Sequence, residues 1–142
     1  MPWALSERLV LAASPQKEHL DKYGWENVGL ITLCNRPPTQ RVTLDDRVQW
    51  WKHVPIADGQ IKDLRSVLLA RDTALSMLGA GHLTVIHCVA GRNRSGLIGA
   101  LVVRELHNWT GEEAMDWTRR CRPRAIDNAY FEAFLQSLGR PR

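Results

Sequence analysis

One stretch constrains this chain more than any other: Thr84-Val85-Ile86-His87-Cys88-Val89-Ala90-Gly91-Arg92-Asn93-Arg94-Ser95-Gly96. It reads as a β-branched strand, a short turn containing glycine, and a new apolar run through Leu97, Ile98, Ala100, Leu101, Val102 and Val103. A strand–turn–helix unit gathers the free N–H groups of the helix N-terminus around its turn, which makes a site for an anion. Cys88 stands where the strand ends and Arg94 where the helix starts, a Cys-x5-Arg spacing. The chemistry suggested is nucleophilic attack on phosphorus.

A free thiol with a pKa near ~8.5 is mostly protonated at neutral pH, so a useful sulfur nucleophile needs a lowered pKa. Successive N–H groups of a turn, together with the helix dipole, stabilise both a thiolate and a bound phosphoryl group. Arg94 offers a planar fork matched to two phosphate oxygens. Gly91 permits a tight backbone path and close approach of substrate. His87 is placed to hold Cys88 and the loop by a hydrogen bond. The Ser95 hydroxyl is placed to donate to sulfur when sulfur becomes the leaving group. The competing reading is a buried structural cysteine that happens to precede a helix.

His-Cys-Val-Ala-Gly-Arg-Asn-Arg-Ser-Gly resembles the signature loop of the cysteine-based protein tyrosine phosphatases, in particular their compact dual-specificity branch. The resemblance implies two-step hydrolysis through a phosphocysteine intermediate, without metal or cofactor. It implies a phosphate-binding loop made of Cys88, Val89, Ala90, Gly91, Arg92, Asn93 and Arg94. Val54-Pro55-Ile56-Ala57-Asp58-Gly59 is similar to the general-acid loop of the family, which makes Asp58 the candidate proton donor on a mobile loop. Asp63, Asp45 and Asp46 are its rivals, and a plain turn or cap before the next helix is the simpler reading of Asp58. Arg122-Pro123, Ile126, Asn128 and Phe131 resemble the closing helix segment of small dual-specificity phosphatases, where Asn128 either braces the active-site loop or caps the helix.

The expected fold is α/β: a three-layer sandwich with a mostly parallel central sheet flanked by helices, and the phosphate loop between a central strand and a helix. A chain of 142 residues suits a single domain, here 1–142. Leu9 to Ala13 reads as the first strand and Val28 to Cys34 as a buried one. Val48 to Ile56 leads towards the sheet, and Leu83 to His87 is the strand before the loop. Helices are expected over Pro15–Tyr23, Ile61–Leu78 and Ser95–Asn108. Another starts at Thr110 or Gly111 with Ala114, Met115, Trp117 and Cys121 inward. The last carries Tyr130, Phe131, Phe134, Leu135 and Leu138 on its apolar side. Glu112 and Glu113 belong to a helix start. Trp50 and Trp51 pack under the loops or stack on an aromatic substrate.

The chain has no apolar run near the ~20 residues of a membrane span. Met1-Pro2-Trp3-Ala4 does not open like a secretory signal. Cys34, Cys88 and Cys121 form no disulfide pattern and fit a cytoplasmic, reduced protein, with Cys34 a core thiol or a redox partner of Cys88. The net charge of +4 resides after residue 118, where six arginines face two acids. Arg119, Arg120, Arg122 and Arg124 form either a solvated helix end or a patch that attracts polyanions.

The expected partner is a phosphorylated protein met by a monomer. No long N-terminal recognition segment and no glutamine-rich loop are seen, which favours a shallow site accepting phosphotyrosine and phosphoserine or phosphothreonine. Asn93 before Arg94 is also similar to the loop of metal-independent RNA 5′-triphosphatases, and Arg92 to the second cation of some phosphoinositide phosphatases. An RNA 5′ end or an inositol lipid is therefore a second class of substrate. The same loop would suit a phospho-ligand binding module without turnover, although a pure binder has no need of the thiolate. A rhodanese-like sulfurtransferase would also use a loop cysteine, with less need of the Arg94-Ser95 pair.

Overall fold

Residues 2–142 are described in a computed structural model. Met1, and with it the start of the expected domain, lies outside them. Five strands form one sheet in the order β1-β2-β5-β3-β4. They are β1 (Pro2–Ser6), β2 (Leu9–Ala12), β3 (Val28–Thr32), β4 (Val48–His53) and β5 (Leu83–His87). Only β1 runs antiparallel, against β2; the β2–β5, β5–β3 and β3–β4 pairs are parallel. The expected sandwich is therefore what the chain forms.

Alternation along the strands builds two cores. Leu9, Leu11, Ile31, Leu33, Ile86 and Cys88 face one side. There they pack under α3 (Leu64–Gly79), α4 (Arg94–His107), α5 (Gly111–Cys121) and α6 (Ala129–Gln136). Val10, Ala12, Val28, Leu30 and Val85 face the other, thinner side, covered by Leu20 of α1 (Lys17–Lys22), Trp25 and Val42 of α2 (Gln40–Thr43). Helix α4 follows β5 directly and its residues 95–103 are all buried. A helix apolar on every side belongs in the middle of a layer, and that centrality fixes its N-terminus relative to the sheet.

Several expectations are corrected. The first strand is Pro2–Ser6, and Leu9–Ala12 is the second arm of a hairpin; polar Ser6, Glu7 and Arg8 at the bend hide its period. The third helix begins at Leu64 rather than Ile61, because the Asp63 side chain accepts from the N–H groups of Arg65 and Ser66. On α5, Thr118 is buried in place of the expected Trp117; Trp117 is half-exposed and its indole donates to Leu5 O at 2.9 Å. Cys121 is only partly buried. On α6, Tyr130 is 58% exposed, while Phe131 and Leu135 enter the core. Among the described residues no helix is long and apolar enough to cross a membrane.

Candidate active site

Strand β5 delivers Cys88 to the carboxyl end of the sheet, where its N–H donates to Ala12 O at 3.3 Å. The loop then turns through Gly91, whose φ of +65° is left-handed. A Cβ on Gly91 would lie 2.6 Å from the main-chain carbon of Ala12, so only glycine lets the loop close on the end of β2. Gly91→Ala is expected to cost about 1–3 kcal/mol of stability and to lower phosphate release as the loop shifts. Denaturant unfolding and a phosphate-release assay check both, and an unchanged Gly91→Ala protein would contradict the packing described.

The Cys88 side chain is buried, and Ser95 Oγ lies 3.4 Å from its Sγ. Burial by itself would push the thiol's pKa up. The Ser95 hydroxyl and the N–H groups of Ser95, Arg92 and Gly91 outweigh burial and hold it below the ordinary thiol value. The arrangement is a sulfur in a ring of donors, which favours its thiolate form. Val89, 65% exposed, and Ala90 supply backbone at the outer rim.

Arg94 starts α4 half-buried, with Nη1 donating weakly to Ile56 O at 3.4 Å. Its Nε is buried and has no partner in the protein. A buried guanidinium donor without a partner is costly, and this one stands beside the thiolate loop.

Asp58 is exposed on the segment between β4 and α3, and two side-chain amides hold it. Asn93 Nδ2 donates to its Oδ2 at 3.3 Å and Asn128 Nδ2 to its Oδ1 at 3.0 Å. Both amides are fixed in orientation from behind. Asn93 Oδ1 accepts from the N–H groups of Asp127 and Asn128, and Asn128 Oδ1 from those of Tyr130 and Phe131. Asn128 thus ties the Asp58–Gly59 turn to the start of α6 and caps that helix at once. The expected mobile acid loop is, in this structure, latched to the phosphate loop and to the start of α6.

Two of the rival carboxylates are otherwise engaged. Asp63 caps α3, and its bonds to the Ser66 side chain and N–H hold its pKa below the usual carboxylate value. Asp45 is bonded by the Arg47 side chain and N–H, which pull its pKa down to about 2. Asp46 is exposed in the turn beside it. Glu113 forms a capping box with Thr110, and Glu112 sits in the same first turn of α5.

The arginine cluster divides. Arg119 bonds the carbonyls of Ala125 and Ile126 and pairs with Glu132, so it is a brace. Arg120 lies by Trp109, Glu113, Asp116 and Trp117, at a surface site of its own. Arg122 turns to the loop, donating from Nε to Gly91 O at 3.2 Å, with its guanidinium 3.8 Å above the Trp3 ring. Burial lowers its pKa, and the charges of Arg92 and Arg124 push the same way. Arg92 itself pairs with Asp127 at 2.9 Å, and its Nε is buried without a partner.

His87 is buried on the sheet face opposite Cys88, and its Nε2 lies 2.7 Å from Thr32 Oγ1. The ring's hydrogen-bond partner is thus Thr32, on the far side of the strand from the Cys88 sulfur. Trp51 donates to Thr32 Oγ1 at 2.9 Å and stacks on His53; Trp50, on the opposite face, packs edge-on to His82. Cys34 is buried, reduced, and donates to Arg36 O at 3.2 Å. Thr32 is a neighbour of the site that sequence reasoning misses, because only strand register brings it to Trp51 and His87. Among the described residues no cluster of three or more His, Cys, Asp or Glu is arranged to hold a metal ion.

No protein-family model and no curated protein matches the sequence. Solved structures do. Tk-PTP in its active form superposes with a TM-score of 0.83 at 21% identity, covering 96% of this chain and 95% of that one. Human DUSP28 gives 0.77 at 17% identity, with 95% and 90% covered. PTPMT1 gives 0.72 at 20% identity, with 96% and 94% covered. The chain has the fold of the cysteine-based protein tyrosine phosphatase superfamily, in its compact, dual-specificity-like form.

Proposed function

We propose that this chain is a metal-independent cysteine phosphatase that hydrolyses phosphate monoesters on proteins, phosphotyrosine and also phosphoserine or phosphothreonine. The observation that carries the reading is the buried Cys88 thiol, held below its ordinary pKa by Ser95 and loop N–H groups, at the turn that starts α4 with Arg94. In the first step the Cys88 thiolate attacks phosphorus, the S–P bond forms and the ester P–O bond breaks. Arg94 grips two equatorial oxygens, and Asp58 gives its proton to the leaving oxygen. In the second step water attacks phosphorus while Asp58, now a carboxylate, takes its proton. The S–P bond breaks, and the Ser95 hydroxyl receives the returning thiolate. The free thiols suit a reducing compartment such as the cytoplasm, and nothing in the scheme needs more than a monomer.

Asp58→Asn tests the acid. It is expected to lower turnover about 10²–10⁴-fold on alkyl or phenolic esters with poor leaving groups. Activated aryl phosphates, whose leaving groups need no proton, should suffer far less. Equal losses on both would remove Asp58 from the acid role.

A second reading has its own support in the arginines at the rim. Arg122 and Arg92 lie at the loop, Arg122 feels the charges of Arg92 and Arg124, and Asp127 is the acid paired to Arg92. PTPMT1, one of the similar folds, has been crystallised with PI(5)P. A substrate with several phosphates, an RNA 5′ end or an inositol lipid, would use such a rim. Preference for 5′-triphosphorylated RNA with a steep fall in rate as salt rises would select the RNA branch over phosphopeptides.

A further inference from the structure

Three consecutive carbonyls of the phosphate loop turn outward onto the segment that follows α5. Arg122 Nε donates to Gly91 O at 3.2 Å, and its Nη2 donates over a longer 3.5 Å to Ala90 O. The Ile126 N–H donates to Arg92 O at 3.2 Å. The remaining Arg122 nitrogen, Nη1, donates to Pro123 O at 2.7 Å. A solvated helix end would leave these donors to water. Here every nitrogen of the guanidinium is on a main-chain carbonyl.

The same peptides serve the sulfur. None of the described peptide bonds is cis, and a planar trans peptide sends its C=O and its N–H in opposite directions. The Arg92 N–H shares a peptide with the Gly91 carbonyl, and the Gly91 N–H shares one with the Ala90 carbonyl. Those two N–H groups are among the donors on Cys88. Arg122 therefore stands outside the loop and grips the two peptides whose inner ends meet the sulfur. Trp3 holds Arg122 in turn, with its ring centroid 3.8 Å from the guanidinium carbon. Strand β1 sets Trp3 in register with Leu11, on the Cys88 face of the sheet. A planar guanidinium stacks on an aromatic face and still aims its donors along its own plane. The charges acting on Arg122 are Arg92 and Arg124, which repel it, and Cys88, which attracts it.

We infer that Arg122, braced on Trp3, is a positioning residue for the phosphate loop: its fork holds the Ala90 and Gly91 carbonyls outward and so keeps the Gly91 and Arg92 N–H groups turned to the anion. The role belongs to the shape of the guanidinium, because one point charge cannot hold two carbonyls and lie flat on a ring.

The kinetic part of this inference rests on the phosphatase reading, whereas phosphate binding and thiol reactivity are measured without turnover. The native chain, Arg122→Lys and Arg122→Met are titrated with inorganic phosphate. Their Cys88 is alkylated by iodoacetamide across pH and followed on its own peptide. Lysine keeps the charge and loses the fork, so Arg122→Lys should behave like Arg122→Met. The phosphate Kd should rise roughly tenfold. The alkylation midpoint should rise by about one unit, a roughly tenfold change in the thiolate equilibrium. Where the chain turns over, kcat/KM should fall by a similar factor for an aryl phosphate and for 5′-triphosphorylated RNA. Native affinity and midpoint in Arg122→Lys would overturn the inference and leave Arg122 as rim charge alone. So would a loss confined to the triphosphorylated substrate. Should the Arg122 variants not fold, Trp3→Leu carries the test: removing the ring should move both values the same way, and unmoved values overturn it.

Discussion

Cys88→Ser is expected to abolish phosphate release on every substrate, by roughly 10⁴-fold or more, while the folded chain still binds phosphate. The loop is built for sulfur. Gly91, Arg92 and Ser95 N–H groups and the Ser95 hydroxyl favour the thiolate and hold the thiol's pKa below its ordinary value. A serine hydroxyl ionises far above that range, and the same donors cannot bring it down. Retained turnover in Cys88→Ser would remove the covalent step. The pH dependence has a definite sign. Folding lowers the Cys88 pKa, so kcat/KM for the native chain rises with pH through a midpoint below the ordinary thiol value of about 8.5. A rate still climbing through pH 8.5 would show that the loop does not ionise the thiol.

Arg94→Lys is expected to lower kcat/KM about 10²–10³-fold although the charge is kept. The transferring phosphoryl group spreads its charge over equatorial oxygens, and a planar fork meets two of them at once. Arg94 has a buried Nε without a protein partner and an Nη1 held only weakly by Ile56 O, so its donors are free to turn to an anion. A lysine ammonium is a single point and has nothing at the Nε position. The two parameters should fall together, since the lost contact matters most in the transition state. A variant with a raised KM and native kcat would make Arg94 an ordinary binding residue.

The centre of this structure is legible in the sequence because it is local. A β-branched run, a glycine and an apolar helix are contiguous, and β5, the loop and α4 follow that order. Asn128 also announces itself as a helix start, and its second amide arm explains the brace. What stays hidden depends on register or on irregular backbone. The Trp51–Thr32–His87 chain joins three strands far apart in sequence, and only their alignment reveals it. Arg122 looks like one of four charges at a helix end. It reaches the loop because the chain then folds back through left-handed Arg124 and Ile126, at φ +67° and +59°. No side-chain propensity predicts such angles for an arginine or a β-branched residue. Asn93 draws notice in the sequence only for its likeness to RNA 5′-triphosphatase loops, yet its side chain ties the phosphate loop to Asp58 and to the start of α6.

The most direct test of the covalent mechanism is to catch its intermediate. The native chain is mixed with an aryl phosphate in chelator, quenched in acid within the first turnover, and digested for mass spectrometry. One phosphoryl group is expected on the peptide containing Cys88, formed without metal and absent from Cys88→Ser. Phosphate release with no adduct on Cys88 would contradict the mechanism. Tight phosphate-ester binding with neither adduct nor release would leave a phospho-ligand binding module in place of an enzyme.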